Sequence, residues 1–236
     1  FVPGTTFIDF NEKDELDRIT TSTAAVIVEP IQGDAGVRIP SKEYMLALRH
    51  RCDETGAQLI FDEIQTGMGR TGKFFAFEHF DVVPDILTIA KAFGGGMPIG
   101  AFISSKKKME QLTHDPVLGH ITTFGGHPVC CAAALASLEV LSTENWIAQA
   151  ESKGQKLKDI LGKSKAKQVR QIGLMLAVEL DSAEEVDRVI NELLKRGYIT
   201  FYFLSTRNAF RLAPPLSITD DVLVEAGNQI SEVIGI

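Results

Sequence analysis

The sequence predicts an α/β fold: a mostly parallel sheet in a large first domain, followed by a small α+β domain. Short apolar runs rich in β-branched residues alternate with a helical segment in the first half of the chain, as in parallel sheets covered by helices. A long alanine-rich helix closes this part, and strand and helix patterns are mixed beyond it. The 236 residues are sufficient for both parts, which we place at residues 1–143 and 144–236.

In the first part, the order strand, helix, strand predicts parallel pairing with right-handed crossovers. Ser41 is well placed to cap a helix that ends at Gly56. Strands are expected at residues 24–28, 58–62, 86–90 and 99–104. Ligands of such sheets bind at the carboxyl ends of the strands, so polar residues there are the first candidates for a site.

The long helix ends the first part, and the second part is predicted beyond it, from residue 144 onward. Proline suits the first position of a helix, so Pro128 is expected to open the long helix, with a bend near Thr143. The remaining expected elements are an amphipathic segment at 153–161, strands at 174–178 and 198–204, and helices at 183–196 and 220–234. This mixture predicts the small α+β domain.

Composition excludes several classes of function. The net charge of −7 argues against a general nucleic-acid binder, and no apolar run approaches the ~20 residues that span a membrane. The three cysteines form no disulfide framework, which favours a reducing compartment, and we expect a cytoplasmic protein. The five histidines form no metal-ligand pattern with them, so no metal is expected.

Lys91 and Asp62 are the residues most indicative of chemistry. Lys91 ends an apolar run and precedes the glycines at 94–96, while Asp62 ends the strand before it. An amine and a carboxylate at two strand ends can hold the two ends of pyridoxal phosphate: the lysine forms a Schiff base, and the acid keeps the ring nitrogen protonated. Apolar neighbours are expected to desolvate the lysine in part. From their spacing alone, a loop-capping acid and a surface lysine would be the more common interpretation of these two residues.

Four segments extend the pattern along the chain. They are residues 28–36, 62–72, 88–100 and 122–128. Together they resemble the class III aminotransferases, the pyridoxal phosphate enzymes of the ornithine and acetylornithine aminotransferase group, and the resemblance covers essentially the whole chain. It implies the type I fold of pyridoxal-phosphate-dependent transferases, a small C-terminal domain, and a homodimer with shared active sites.

The resemblance also implies the cofactor contacts. Lys91 corresponds to the lysine that binds the cofactor and then acts as the base, and Asp62 to the partner of the pyridine nitrogen. Gln65 resembles the residue beside the phenolic oxygen of the ring, although by itself it would fit a polar loop residue. Thr123, with Thr122, resembles the hydroxyl pair that reaches the cofactor phosphate of the neighbouring subunit. Hydroxyls before a helix start also suit an anion, or an ordinary helix cap.

Substrate contacts follow from the same comparison. Arg211 resembles the arginine that holds the substrate α-carboxylate in a two-pronged contact. Asp34 stands where ornithine aminotransferases carry a glutamate that pairs with this arginine when a diamine enters amine-first. Because aspartate is one methylene shorter than glutamate, its carboxylate is expected to reach less far toward Arg211. Glu29 is expected to support residues that contact the substrate without touching the substrate itself. His127 stands where the family more often has asparagine.

The predicted reaction moves an amino group from an ornithine-like, acetylornithine-like or other ω-amino donor to 2-oxoglutarate. A 4-aminobutyrate aminotransferase, an aminomutase, and a catalytically incomplete fragment that only packs or dimerises are the alternatives. Relatives carry a segment before the position of Phe1 with a Gly/Ser-rich phosphate turn, a ring-stacking aromatic residue and a further substrate arginine. We therefore expect a fragment, or a chain from whose sequence this segment is missing.

Overall fold

A four-stranded sheet organises the first part of the chain. In the computed structural model, which describes residues 2–236, the strands are β1 (Ala25–Val28), β2 (Gln58–Asp62), β3 (Ile86–Ile89) and β4 (Ala101–Ser104). They lie in the order β1-β2-β3-β4, with β1, β2 and β3 parallel and β4 antiparallel to β3. The predicted mostly parallel sheet is thus confirmed, and the carboxyl ends of β1 to β3 share one edge.

Helix α1 (Lys42–Thr55) connects β1 to β2 and shows both predicted end signals. The Ser41 hydroxyl accepts a hydrogen bond from the Tyr44 N–H at 3.1 Å, and Gly56 ends the helix at φ 78°. A residue with a side chain is strained at such an angle, which glycine adopts freely. The buried face of α1 packs Tyr44, Met45, Leu48 and Cys52 into the core.

Two helices follow β4. Helix α2 (Lys106–Met109) is a single turn, and α3 (Pro128–Thr143) begins at the predicted proline. Helix α3 is apolar on nearly all sides, a pattern typical of a helix that is covered by protein. Cys130 and Ala134 are buried, but Val129 and Leu135 are 55% and 57% exposed in this chain.

The second part contains helix α4 (Trp146–Leu161) and an antiparallel sheet. Its strands are β5 (Gln168–Ile172), β6 (Met175–Glu179), β7 (Phe201–Tyr202) and β8 (Ala209–Leu212), in the order β5-β6-β8-β7. The single strand predicted at 174–178 is the second arm of a hairpin that turns at Gly173 (φ 54°). The strand predicted at 198–204 was too long, because β7 pairs with β8 over only two residues.

Helices α5 (Ala183–Lys195) and α6 (Asp220–Ile234) complete this part, close to their predicted limits. The Ser182 hydroxyl caps α5 by accepting from the Glu185 N–H at 3.3 Å. The core between the helices and the sheet contains fully buried side chains from several elements, among them Leu161, Leu176, Val189 and Phe210.

The chain divides into two compact units. The first comprises residues up to Pro30, Pro40–Gln65 and Ala76–Leu138, and the second comprises Ile31–Ile39, Thr66–Phe75 and Glu139–Ile236. The domain limits predicted from the sequence, with a boundary at 143/144, stay a prediction. Within residues 2–236, no helix has the length and apolar character that crossing a membrane requires.

Candidate active site

The first unit gathers three of the predicted residues at the carboxyl edge of its sheet. Asp62 is the last residue of β2, and its register partner on β3 is Thr88. Lys91 comes two residues after the end of β3, and Glu29 directly follows β1. Because β1, β2 and β3 are parallel, their carboxyl ends meet at this edge, where α/β sheets bind ligands.

Lys91 has an unusual backbone conformation. Its φ is 48°, in the left-handed region, and it starts a short 3-10 helix, Lys91–Gly94. For a residue with a side chain this conformation costs about 1–2 kcal/mol, and such strain concentrates at functional sites. The side chain is exposed in this chain, so the expected partial desolvation is wrong for these residues taken by themselves.

The glycines after Lys91 allow the turn to pack against α3. Gly95 has a φ of 56°, and a Cβ atom there would lie 2.8 Å from the Ala133 carbonyl oxygen of α3. The Ser137 hydroxyl on the same helix donates to the Ala92 carbonyl at 3.3 Å. The absence of a side chain at Gly95 therefore lets the Lys91 turn lie close to α3. The contact with α3 holds this turn in place.

Asp62 and Gln65 show how the edge could receive a ligand. Asp62 Oδ1 accepts the Ile64 N–H at 3.0 Å, which orients the carboxylate through its own turn. Gln65 Oε1 is buried and accepts no hydrogen bond from any residue between 2 and 236. A buried amide oxygen without a partner is costly, so a hydrogen-bonding ligand is a physically reasonable occupant. On this observation the edge fits an aromatic cofactor with polar substituents.

Glu63 is a supporting residue that sequence reasoning missed. Only 1% of it is exposed, and its carboxylate accepts the backbone N–H groups of Ala76 and Phe77 at 3.0 and 2.8 Å. These bonds tie the segment after β2 to the 3-10 turn at Ala76–His79. Glu63 lies just after the end of β2 and its partners are 13 and 14 residues further along the chain, so residue spacing gave no signal for this role.

Thr122 and Thr123 lie in the loop before α3 and are exposed. The Gly125 N–H donates to the Thr122 carbonyl at 3.4 Å, and a Cβ atom at Gly125 would collide with Thr122 Oγ1. His127, the residue that departs from the family pattern, offers its carbonyl to the Cys131 N–H in the first turn of α3. The two hydroxyls therefore precede the N-terminus of a long helix, where anions are stabilised.

The second unit contains Arg211 on β8, which lies between β6 and β7. Arg211 pairs in register with Ala177 and Phe201, and its guanidinium carbon is 5.9 Å from the centroid of the Phe201 ring. Among residues 2–236, no carboxylate lies within ion-pair distance of Arg211. The guanidinium is stacked on the ring and has no ion pair within the described residues, so its N–H groups can donate to a ligand carboxylate.

Asp34 lies in the same unit as Arg211, but its carboxylate binds Leu204 and Ser205. Its carboxylate accepts the Leu204 N–H at 3.0 Å, and the Ser205 N–H and hydroxyl at 3.1 and 2.6 Å. Burial by itself raises the pKa of Asp34, but the hydrogen bonds from Ser205 and Leu204 and the charge of Arg211 outweigh it and lower the pKa below its usual value. Asp34 is therefore a charged acceptor for the turn at 204–205. No sequence signal showed this, because the partners lie 170 residues away.

Over residues 2–236, no three side chains of His, Cys, Asp or Glu come together in a way that could hold a metal ion. The predicted polar residues at or after the strand ends are the acids Glu29 and Asp62, the amide Gln65 and the amine Lys91, a set that suits an organic ligand.

The aminotransferase class-III family model matches residues 9–234, and the chain belongs to this family. The acetylornithine aminotransferase of Methanocaldococcus jannaschii is 40% identical over 98% of this chain and 58% of that protein. The chain thus spans less than two thirds of the length of this curated relative.

Solved structures agree with this assignment. An ornithine aminotransferase from Toxoplasma gondii, whose active site holds pyridoxal phosphate at partial occupancy, superposes with a TM-score of 0.91 at 36% identity. That match covers 99% of this chain and 56% of the other. An acetylornithine aminotransferase from Elizabethkingia anophelis has a TM-score of 0.87 at 34% identity, covering 99% of this chain and 60% of its own. The type I fold predicted by resemblance is confirmed.

Proposed function

We propose that the protein carrying this chain is a pyridoxal-phosphate-dependent aminotransferase that moves an amino group from an ω-amino donor, ornithine-like or acetylornithine-like, to 2-oxoglutarate. The observation that carries the proposal is the sheet edge. An acid ends β2, a strained lysine follows β3, and both strands are parallel neighbours. The relatives named ornithine and acetylornithine aminotransferases support the choice of donor class.

Lys91 is the proposed cofactor-binding and proton-transferring residue. Pyridoxal phosphate, when bound, supplies an electron sink for the electrons released when the substrate Cα–H bond breaks. Lys91 Nζ takes the proton from the substrate Cα, which requires a neutral amine at that moment. Its left-handed backbone and the packing of its turn on α3 support a fixed starting position for the amine.

Asp62 and Gln65 would orient the cofactor ring. A carboxylate beside the ring nitrogen holds a proton there, and the fixed negative charge favours the cationic ring. The bond from the Ile64 N–H keeps the Asp62 carboxylate in one orientation. The unpaired Gln65 Oε1 supports a contact with a polar ring substituent such as the phenolic oxygen.

Thr122 and Thr123 are the proposed phosphate contacts, and we propose that they act on the cofactor of a second subunit. Both hydroxyls lie in an exposed loop just before α3. The uncovered apolar side chains of α3, Val129 and Leu135, support a homodimer with shared sites, since an apolar helix favours protein cover.

Arg211 is the proposed site for a substrate carboxylate. Its guanidinium has five N–H donors in a planar fork, and the Phe201 ring supports one face of that plane. Glu29 is proposed to support the site from the end of β1, where the structure places it.

The test is an assay of the purified complete protein with pyridoxal phosphate, 2-oxoglutarate and a panel of amines. We expect glutamate to form with ornithine or acetylornithine as donor. Preferential turnover of 4-aminobutyrate would select that alternative donor. An aminomutase would rearrange one substrate without consuming 2-oxoglutarate. A protein that binds no cofactor and turns over no donor would contradict the proposal and favour a purely structural role.

A further inference from the structure

The turn that carries Asp34 is tightly constructed. Gln32 and Arg38 exchange two backbone hydrogen bonds at 3.0 Å, and the Gly36 and Val37 N–H groups both donate to the Gly33 carbonyl. Gly36 has a φ of 95°, and a Cβ there would lie 2.9 Å from a guanidinium nitrogen of Arg170. The backbone around Asp34 therefore has little freedom to swing its short side chain to a new position.

This turn is joined to the β7–β8 connection, residues 203–208, by more than the Asp34 carboxylate. The Thr206 hydroxyl donates to the Ala35 carbonyl at 3.0 Å, and Arg170 Nε donates to the Gly36 carbonyl at 2.6 Å. Arg170 also forms an ion pair with Glu179 at 2.6 Å. The Thr206 bond and the three bonds from Leu204 and Ser205 to Asp34 form a continuous clasp between the 32–38 turn and the β7–β8 connection, and Arg170 of β5 holds the turn separately.

We propose that Asp34 is a positioning residue for the β7–β8 connection, and through it for Arg211 on β8, and not a reversible partner that covers Arg211. To act as a gate, the carboxylate would have to give up three hydrogen bonds, two of them from backbone N–H groups that no other described side chain accepts.

The clasp lies on the hairpin that presents Arg211. Strands β7 and β8 are the two arms of this hairpin, and Phe201 on β7 stacks on Arg211 of β8. Because β7 pairs over only two residues, the connection at 203–208 has a large share in holding the two arms together. Loss of the Asp34 hydrogen bonds should weaken the stacking of Arg211 on Phe201 and should make the orientation of the Arg211 guanidinium more variable. This consequence for substrate binding rests on the proposed function.

The experiment compares Asp34→Ala and Ser205→Ala with the unaltered complete protein. Hydrogen exchange of the Leu204 and Ser205 amides reports the clasp without any turnover. We expect about tenfold faster exchange in Asp34→Ala, and a smaller increase in Ser205→Ala, since one lost bond shifts a local equilibrium by roughly that factor. The KM for 2-oxoglutarate should rise severalfold in both variants, with a smaller change in kcat. Asp159→Asn, an exposed acid on α4 bonded only to Gln155, is the control and should change neither quantity.

The outcomes separate the two assignments. A gate predicts a lower or unchanged KM for 2-oxoglutarate in Asp34→Ala, because Arg211 would be uncovered, and no effect of Ser205→Ala. Unchanged exchange at residues 204–205 in Asp34→Ala overturns the positioning role whatever the activity. If the unaltered protein shows no turnover, that result contradicts the proposed function and not the role of Asp34. The hydrogen-exchange measurement then decides the role of Asp34 by itself. If Asp34→Ala does not fold, Ser205→Ala alone decides between the two roles.

Discussion

Asp62 of β2 and Thr88 of β3 are register partners in the parallel sheet, and the Glu63 N–H donates to the Thr88 carbonyl at 3.0 Å. This pairing places Asp62, at the end of β2, beside Thr88 of β3. Lys91 follows Thr88 by three residues. The relationship is made by the backbone, so substitution of either functional side chain should leave the register in place. The effects of such substitutions therefore report chemistry more than folding.

Lys91→Ala should abolish transamination, because no other amine at the sheet edge can bind the cofactor and also move the Cα proton. Borohydride reduction of the cofactor-loaded protein, followed by peptide mapping, should place the pyridoxyl group on Lys91. Lys107→Ala is the control, since this lysine is exposed on α2, and it should retain full activity. A pyridoxyl group on any other lysine would refute the assignment.

Asp62→Asn nearly preserves the shape of the side chain and removes its charge. We expect kcat to fall by about 100-fold or more, because a fixed charge in a site with little water contributes several kcal/mol to catalysis. The bond from the Ile64 N–H can persist through the asparagine oxygen, so the fold should be unchanged. Steady-state kinetics and the cofactor absorbance spectrum test this together, and turnover near the unaltered rate would remove Asp62 from the mechanism.

Arg211→Lys should raise the KM for 2-oxoglutarate by about tenfold, because a single ammonium replaces a planar fork that binds both carboxylate oxygens. Arg207→Lys is a matched control. Its guanidinium carbon also lies over an aromatic ring, that of Tyr202, at 5.2 Å, but it has no proposed role in substrate binding. Equal changes in the KM of the two variants would show that the aromatic contact, and not carboxylate binding, is what Arg211 provides.

Asp85 directly precedes β3, and its carboxylate binds residues of α1, β2 and α2. It forms ion pairs with Arg49 at 2.8 Å and with Lys108, and it accepts the Leu59 N–H at 2.9 Å. Burial alone raises the pKa of Asp85, but the hydrogen bonds from Lys108, Leu59 and Arg49 outweigh it and lower the pKa to about 2. The folded state therefore holds the charged carboxylate more strongly than the unfolded chain does.

The stability that Asp85 provides should be nearly complete above about pH 5 and should be lost as the pH falls through the folded-state pKa of about 2. Asp85→Asn should lower the free energy of unfolding by about 1–2 kcal/mol at pH 7, since the carboxylate is partly exposed to solvent screening, and by much less at pH 2. Urea titrations at several pH values measure this. Asp81→Asn, which removes an exposed ion pair with Lys42, should cost less than about 0.5 kcal/mol at any pH.

Gly95→Ala should destabilise the turn that carries Lys91. The new Cβ would meet the Ala133 carbonyl at 2.8 Å, in addition to the strain of φ 56°. Gly56→Ala is the control, because its φ of 78° imposes backbone strain but its Cβ would meet no atom within 4 Å. We expect a loss of about 1 kcal/mol for Gly56→Ala and clearly more for Gly95→Ala, measured by denaturant unfolding. Equal losses would show that the contact with α3 does not hold the turn.

Local features of the fold could be predicted from the sequence. The α1 limits followed from Ser41 and Gly56, and α6 from its apolar spacing, because caps and helical periodicity depend on residues close in the chain. The parallel order of β1 to β3 followed from the helix that separates the first two strands, and from short apolar runs. The placement of Asp62 and Lys91 at one edge followed from that order in turn.

Only the tertiary structure decided the contacts between distant residues. The short β7 strand, the engagement of Asp34 with Leu204 and Ser205, and the buried bonds of Glu63 each depend on partners chosen by packing. A carboxylate has the same sequence signature whether it holds a backbone turn, an arginine or a cofactor. Which of these it binds is decided by the position of the nearest donors in three dimensions, and residue spacing along the chain does not contain that information.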